Sequence, residues 1–304
     1  MSTEPNAYTI EVDTRPAEPL PASLQVGLNG HSHPDGPGLI RLGGDFEYEH
    51  WHAPPEQLNA IVLGVDDTAD ADAAVAAEQL YRALIERIQS SDHPYPLRLW
   101  NFMPGINRGQ GDEERYRRFS IGRSRALETA GLSSAQMCAA TAIGTDRPVM
   151  QLVALTGSSP GMRIENPRQV SAWNYPRQYG PSQPAFARAT GIDLVDGRKG
   201  LLISGTASVV GHKTAHPGDV EAQTTEAASN LDALLAHAAR LMNRRTLEHF
   251  NRDSLARVYV RDPDDWPHVE HLLRARWPAL RMIGLKGDIC RADLLVEIEA
   301  WHCA

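Results

Sequence analysis

Residues 219–242 read DVEAQTTEAASNLDALLAHAARLM. Val220, Thr224, Ala227, Leu231, Leu234, Ala238 and Leu241 recur there at helical spacing, and Asp219 stands where an N-cap belongs. This is the clearest helix in the chain, and its neighbours give it a context. A short apolar run, GLLISGTAS (200–208), precedes it. After it come ARVYVR (256–261), the amphipathic DPDDWPHVEHLLRARW (262–277), ALRMIGL (279–285) and DLLVEIEAW (293–301). The order is strand, helix, strand, helix, strand, strand. It predicts a mixed β-sheet with its helices packed on one face.

The first half repeats that order. NAIVLGV (59–65) reads as a buried strand. Asp66, Asp67 and Thr68 are N-cap types before an alanine-rich helix that runs to about Ser90, with Leu80, Leu84 and Ile88 on one face. His93-Pro94 and Tyr95-Pro96 stop it. LRLWNFM (97–103) is the next strand, and NRGQGDEERYRRFSIGRSRAL (107–127) opens as a glycine-rich loop and becomes a second helix. QMCAATAIG (136–144) and VMQLVALTG (149–157) complete the half. The two halves are offset by roughly 150 residues, the usual size of one domain. The fold class predicted is α+β, as two related domains, 1–157 and 158–304. Residues 158–199 form the joining segment. That segment holds five prolines but also Trp173, Tyr175, Tyr179 and Phe186, which a plain linker would lack.

Composition removes several functions. The 304 residues hold 38 acids against 30 bases, a net charge of −8, which argues against a nucleic-acid partner. It leaves room for a small anionic substrate met by local arginines. No run of eighteen apolar residues predicts a membrane span, and MSTEPNAYTIEVDTRPAEPLP has neither the basic nor the apolar region of a secretory signal. Cys138, Cys290 and Cys303 are scattered thiols without CxxC spacing, so neither a disulfide framework nor a zinc site is expected. A cytoplasmic location follows as the expectation.

Four groups of residues invite a chemical reading. GSSPG (157–161) fits G-x-S-x-G, but MRIENPRQV follows it without helical period, so Ser159 is read as a chance match. His31 with His33, and His50 with His52, are spaced by two but lack matching carboxylates or cysteines, and solvated loops are the better reading. In DLLVEIEAW the faces alternate, with Glu297, Glu299 and Trp301 opposite Val296, Ile298 and Ala300. A glutamate desolvated on a central strand has a raised proton affinity and suits general-acid work near neutral pH; solvated or arginine-paired glutamates are the equal alternative. WNYPRQYGPSQPAFAR (173–188), with Arg108 and Arg115 as candidate company, combines guanidinium forks and phenols suited to carboxylates and unsaturated rings.

The second half, through SGTAS (204–208), DVEAQTTEAASNL (219–231), VYVRDPDDW (258–266) and LLVEIEA (294–300), resembles the RidA/YjgF-type fold. The whole chain is more specific. LWNFMPGINRGQGDEERYRRFSIGR (99–123), NPRQVSAWNYPRQYGP (166–181) and CRADLLVE (290–297) resemble the chorismatase family, also called 3-hydroxybenzoate synthases. The likeness covers about residues 40–304.

The resemblance implies two RidA-like domains and cofactor-free removal of the pyruvyl group of chorismate. It implies Glu297 as the catalytic acid. Cys290, seven residues earlier, marks the members that form 3-hydroxybenzoate. Ala207 falls at a pocket position that varies with product, with alanine in the hydrolytic type. The expected product is therefore 3-hydroxybenzoate with pyruvate, joined by some 4-hydroxybenzoate. Hydrolysis to a dihydroxycyclohexadiene carboxylate is the alternative. A non-catalytic module binding small acids, or a RidA-like imine hydrolase, are rivals of other classes. Chorismate is a dianion, so its carboxylates need guanidinium or hydroxyl donors. The residues expected to hold it are Tyr175, Tyr179, Arg188 and Thr206, then Arg177, Arg108 and Arg115. No metal or cofactor is expected, and a monomer is the state carried forward.

Overall fold

Helix α3 (Val220–Leu241) forms where the spacing places it, and Asp219 caps it by accepting from the Ala222 N–H at 2.9 Å. Its apolar stripe, with Leu231, Leu234 and Leu235, is fully buried against a sheet. Each leucine so buried contributes about 1.5–3 kcal/mol. The computed structural model describes residues 58–194 and 197–304, plus an antiparallel ribbon of β1 (Leu39–Arg41) and β2 (Glu47–Glu49). His31, His33, His50 and His52 lie outside the described residues.

The first half runs β3 (Leu58–Asp66), α1 (Ala73–Gln89), β4 (Tyr95–Pro104), α2 (Arg115–Thr129), β5 (Ala139–Thr145) and β6 (Val149–Gly157). One expectation is corrected here. β3 continues to Asp66, so α1 starts later, with Asp72 as its N-cap. Asp67 is instead buried against Arg115. The two helices cross closely at Gly122, where a Cβ would come within 2.0 Å of the Ala74 carbonyl oxygen.

The joining segment is part of the second sheet. It contributes β7 (Met162–Ile164) and β8 (Ala189–Asp193), which pair antiparallel. A sequence of loop-like composition hid these strands because they are short and separated by a proline-rich stretch. Ser159 is exposed in the turn before β7, not on a strand-to-helix elbow, as the reading of GSSPG expected. Then come β9 (Lys199–Ala207), the ribbon β10 (Val209–Val210) and β11 (Lys213–Thr214), α3, β12 (Leu255–Val260), α4 (Trp266–Arg276), β13 (Arg281–Lys286), β14 (Asp288–Ile289) and β15 (Val296–Cys303).

Strand order is β14-β5-β4-β6-β3 in one sheet and β13-β12-β15-β9-β8-β7 in the other. Four strands of each share one plan: β4 pairs parallel with β5 and antiparallel with β6, as β12 does with β13 and β15. The outer strands β3 and β9 then pair antiparallel with β6 and β15. The fold is thus α+β, a duplicated mixed sheet with helices on one face of each copy.

The bare faces of the two sheets meet. Phe102, Ile143 and Val153 of the first pack with Tyr259, Ile283 and Leu285 of the second. Side chains of β8 and β9 accept from β5: the Ala139 N–H bonds Thr190 Oγ1 at 2.8 Å, and the Ala140 N–H bonds Ser204 Oγ at 2.9 Å. β14 crosses from the second half and adds to the edge of the first sheet, antiparallel to β5. Among the described residues, no helix is long and apolar enough to cross a membrane.

Candidate active site

The seam between the sheets opens into a cavity of about 570 Å³. Strands β4 and β5 line it with Asn101 and Thr141, and α2 with Tyr116 and Arg123. The joining segment adds Gln169, Tyr175, Tyr179, Phe186 and Arg188. β9 adds Gly205 and Ala207, the stretch after β14 adds Cys290 and Arg291, and β15 adds Glu297.

Glu297 and Glu299 both face the seam, and both are buried. They meet different fates. Glu299 satisfies the arginine-paired alternative, with Arg98 and Arg257 as ion-pair partners. Trp100 Nε1 and the Tyr259 hydroxyl also donate to its Oε1, at 3.1 and 3.2 Å. Glu297, two residues earlier, has no hydrogen-bond or ion-pair partner among the described residues. Its carboxyl lies over Gly205, where a Cβ would sit 2.0 Å from Glu297 Oε1. Only glycine leaves room for the carboxyl there. Burial pushes the proton affinity of Glu297 up, to a pKa of about 8, and the nearby Glu299 adds to the rise; Arg98 and Arg188 oppose it. At neutral pH the group is a neutral acid aimed into a cavity.

Two arginines complement it. Arg188 is buried. Its Nη2 donates to the Val170 carbonyl at 2.9 Å and to the Tyr175 hydroxyl at 2.8 Å, while its Nε has no partner. Its guanidinium lies 4.9 Å over the Phe186 ring. Arg123 is 1% exposed, yet its Nε and Nη2 both lack partners. A buried guanidinium with unsatisfied N–H groups facing a cavity is a receptor for an anion. Arg291 lies 4.1 Å over the Tyr179 ring and donates to the His212 carbonyl at 3.0 Å, which fixes the aromatic wall. Cys290 borders the same cavity. Burial, then the adjacent Glu297, push its thiol up to about 12, so it stays protonated.

Six of the sequence-derived residues therefore gather in one cavity: Glu297, Cys290, Tyr175, Tyr179, Arg188 and Ala207. Four do not. Thr206 points to the other face of β9, its hydroxyl bonded to the Ser204 carbonyl at 3.0 Å. Alternation requires this once Gly205 and Ala207 face the cavity. Arg115 is buried but consumed by Asp67 and by the carbonyls of Pro104 and Ala71. Arg108 is exposed and paired with Asp70. Arg177 is exposed and bonded to Asp112 at 3.0 and 2.6 Å, close to the mouth but outside the lining.

Arg123 and Arg291 escaped the sequence reading. For Arg123 a signal existed: it stands four residues after Phe119, on the apolar stripe of α2. An arginine in that place needs a reason to be buried. Arg291 follows Cys290 directly, in a segment without periodicity that could aim its side chain.

Comparisons with known proteins identify the family. The family model described as chorismatase FkbO/Hyg5-like, N-terminal, matches residues 48–156. A Streptomyces hygroscopicus protein named 3-hydroxybenzoate synthase is 38% identical over 231 residues, covering 74% of this chain and 68% of its own length. A Streptomyces hygroscopicus chorismatase is 36% identical, covering 83% and 78%. A chorismatase crystal structure superposes with a TM-score of 0.74 at 34% identity, over 81% of this chain and 75% of that one. Chorismatases are enzymes, and this chain, similar to them in sequence over most of its length and in fold, belongs to the chorismatase family.

Proposed function

We propose that the chain converts chorismate to 3-hydroxybenzoate and pyruvate, with Glu297 as the general acid. The observation that carries this reading is a carboxyl with no protein partner, protonated at neutral pH, beside two buried guanidiniums that lack part of their hydrogen bonding. Chorismate supplies what that arrangement lacks: two carboxylates and an enol ether whose methylene carbon accepts a proton.

The carboxylates dock on Arg123 and Arg188, with the Tyr175 hydroxyl held at Arg188 by its hydrogen bond. Arg291 and Tyr179 form the wall beside the ring. Glu297 gives its proton to the methylene carbon, and the enol carbon becomes an oxocarbenium. The bond from ring carbon to ether oxygen then breaks, its electron pair forming the pyruvate carbonyl. The ring cation rearranges and loses a proton to become aromatic. The Glu297 carboxylate is the nearest base, so taking that proton restores the acid. No water is consumed. Cys290, as a neutral thiol beside Glu297, narrows the space where water would attack.

Hydrolysis is the second reading, favoured by Ala207 in the cavity wall. It adds one water to the ring product. A mass spectrum of the products from chorismate separates the two, and chromatographic retention against standards distinguishes 4-hydroxybenzoate from the 3-isomer of the same mass. A hydroxybenzoate with pyruvate is expected. Finding neither pyruvate nor any ring product would overturn the proposal and leave a binding module.

A further inference from the structure

The cavity does not explain the cluster behind it. Between the sheets, and sealed from solvent, Glu299 is gripped by Arg98 from the first half and Arg257 from the second. The hydroxyl of Thr141 on β5 joins it: Thr141 donates to Glu299 Oε2 and receives both an Arg98 N–H and the Gly205 N–H, the latter at 2.9 Å. Gly205 is the residue over which the Glu297 carboxyl lies. The cluster therefore reaches Glu297 twice. It lies two residues away along the same strand face, and it pins the strand beneath the carboxyl.

Buried ion clusters seldom add stability over apolar packing of equal volume, so this one invites another explanation. Two cations against one anion behind a general acid form a charge source of fixed position. We propose that Glu299, held in place by Arg98 and Arg257, is a positioning group for the reaction: it acts through Glu297, seating the acid on Gly205 and offsetting the two cations that would otherwise favour its ionised form. This rests on the reading of Glu297 as the acid. The charged or titratable groups facing Glu297 are Glu299 on its own strand, Arg98 on β4, Arg188 before β8, Tyr116 on α2 and Cys290 after β14. Glu299 is the anion among them that lies behind the acid and away from the substrate, and Arg98 is paired with it.

The test is the titration of Glu297 in charge variants of the cluster. Glu299→Gln leaves two cations uncompensated near Glu297 and shifts its titration to lower pH, by roughly one to two units. Arg98→Gln removes a cation and shifts it upward. Arg98→Gln with Glu299→Gln removes one charge of each sign, keeps the net charge, and returns the titration toward that of the unmodified chain. That double variant also serves if Glu299→Gln alone fails to fold, as circular dichroism would show.

Two readouts are used. The first is the alkaline limb of kcat/KM with chorismate. The second is the carboxylic-acid carbonyl band in infrared difference spectra, assigned by its loss in Glu297→Gln, which needs no turnover. Opposite shifts in the single variants, cancelled in the double, are expected. Losses of rate with an unmoved limb and band would reduce the cluster to a structural one and overturn the proposal. Absence of turnover with the infrared shifts intact would sink the functional reading alone.

Discussion

Strands β6 and β15 occupy the same place in their two sheets, each antiparallel to one member of a parallel pair and to an outer strand. Toward the seam, β6 presents Gln151, Val153 and Leu155, whereas β15 presents Glu297, Glu299 and Trp301. The neighbouring strands differ less: β4 offers Arg98 and Trp100 where β12 offers Arg257 and Tyr259. Among these four strands both copies thus supply cations to the seam, but β15 alone supplies acids. Duplication lets one sheet serve as wall and counter-charge for the chemistry of the other. An acid desolvated in this way needs a second surface to exclude water, and the first sheet is that surface.

The strongest way to break the comparison is to erase the chemistry of β15. Glu297→Gln should lower kcat by at least ~10²-fold while chorismate still binds in calorimetry. A change on the seam face of β6, Leu155→Ala, should cost about 2–5 kcal/mol of stability, read from denaturant midpoints, and leave kcat of the folded enzyme near normal.

Next in size is the cation from the first half. Arg123→Met should lower kcat/KM by about 10- to 100-fold, the value of one or two charged hydrogen bonds. The same variant should melt at a higher temperature than the unmodified chain in the absence of ligand, because it removes a buried, partly unsatisfied guanidinium.

A third prediction concerns pH. The proton affinity of Glu297 is higher folded, about 8, than in an unfolded chain, about 4.5. The folded state therefore binds more protons, and this group costs stability progressively as pH rises from the lower value through the higher. Glu297→Gln lacks that cost. Its melting temperature relative to the unmodified chain should climb between those values and level off above them, by calorimetry. A constant difference across pH would mean that Glu297 titrates normally.

The smallest effect belongs to the exposed pair Arg177–Asp112, which joins the loops of the two halves near the mouth. Asp112→Asn should leave the melting temperature unchanged and kcat/KM within about two-fold, since exposed pairs are screened by water and salt.

Much of this was legible in the chain. The apolar stripes of α1 and α3 and the alternation in β15 follow from the periods of helix and strand, and the duplicated order came with them. Alternation alone leaves Glu297 and Glu299 level, and it is the family resemblance that singles out Glu297 and Cys290. What stayed hidden was tertiary. Nothing local distinguishes Arg115, paired with Asp67 from before α1, from Arg188, whose Nε stays unpaired beside the cavity. The division of labour between Glu297 and Glu299 was equally hidden, because it depends on where Arg98 and Arg257 arrive from strands remote in sequence. Thr206 was the avoidable error, since alternation along SGTAS already places it opposite Gly205 and Ala207.

The two-residue strand β14 has an effect beyond its length. It belongs to the second half but is hydrogen-bonded into the first sheet, and Cys290 and Arg291 follow it directly into the cavity wall. Neither half can come away without pulling out that wall and stranding the Glu299 carboxylate between apolar faces. The chain should therefore melt in a single cooperative transition, with loss of the cavity coinciding with loss of both sheets, despite a size and a duplication that would otherwise favour two.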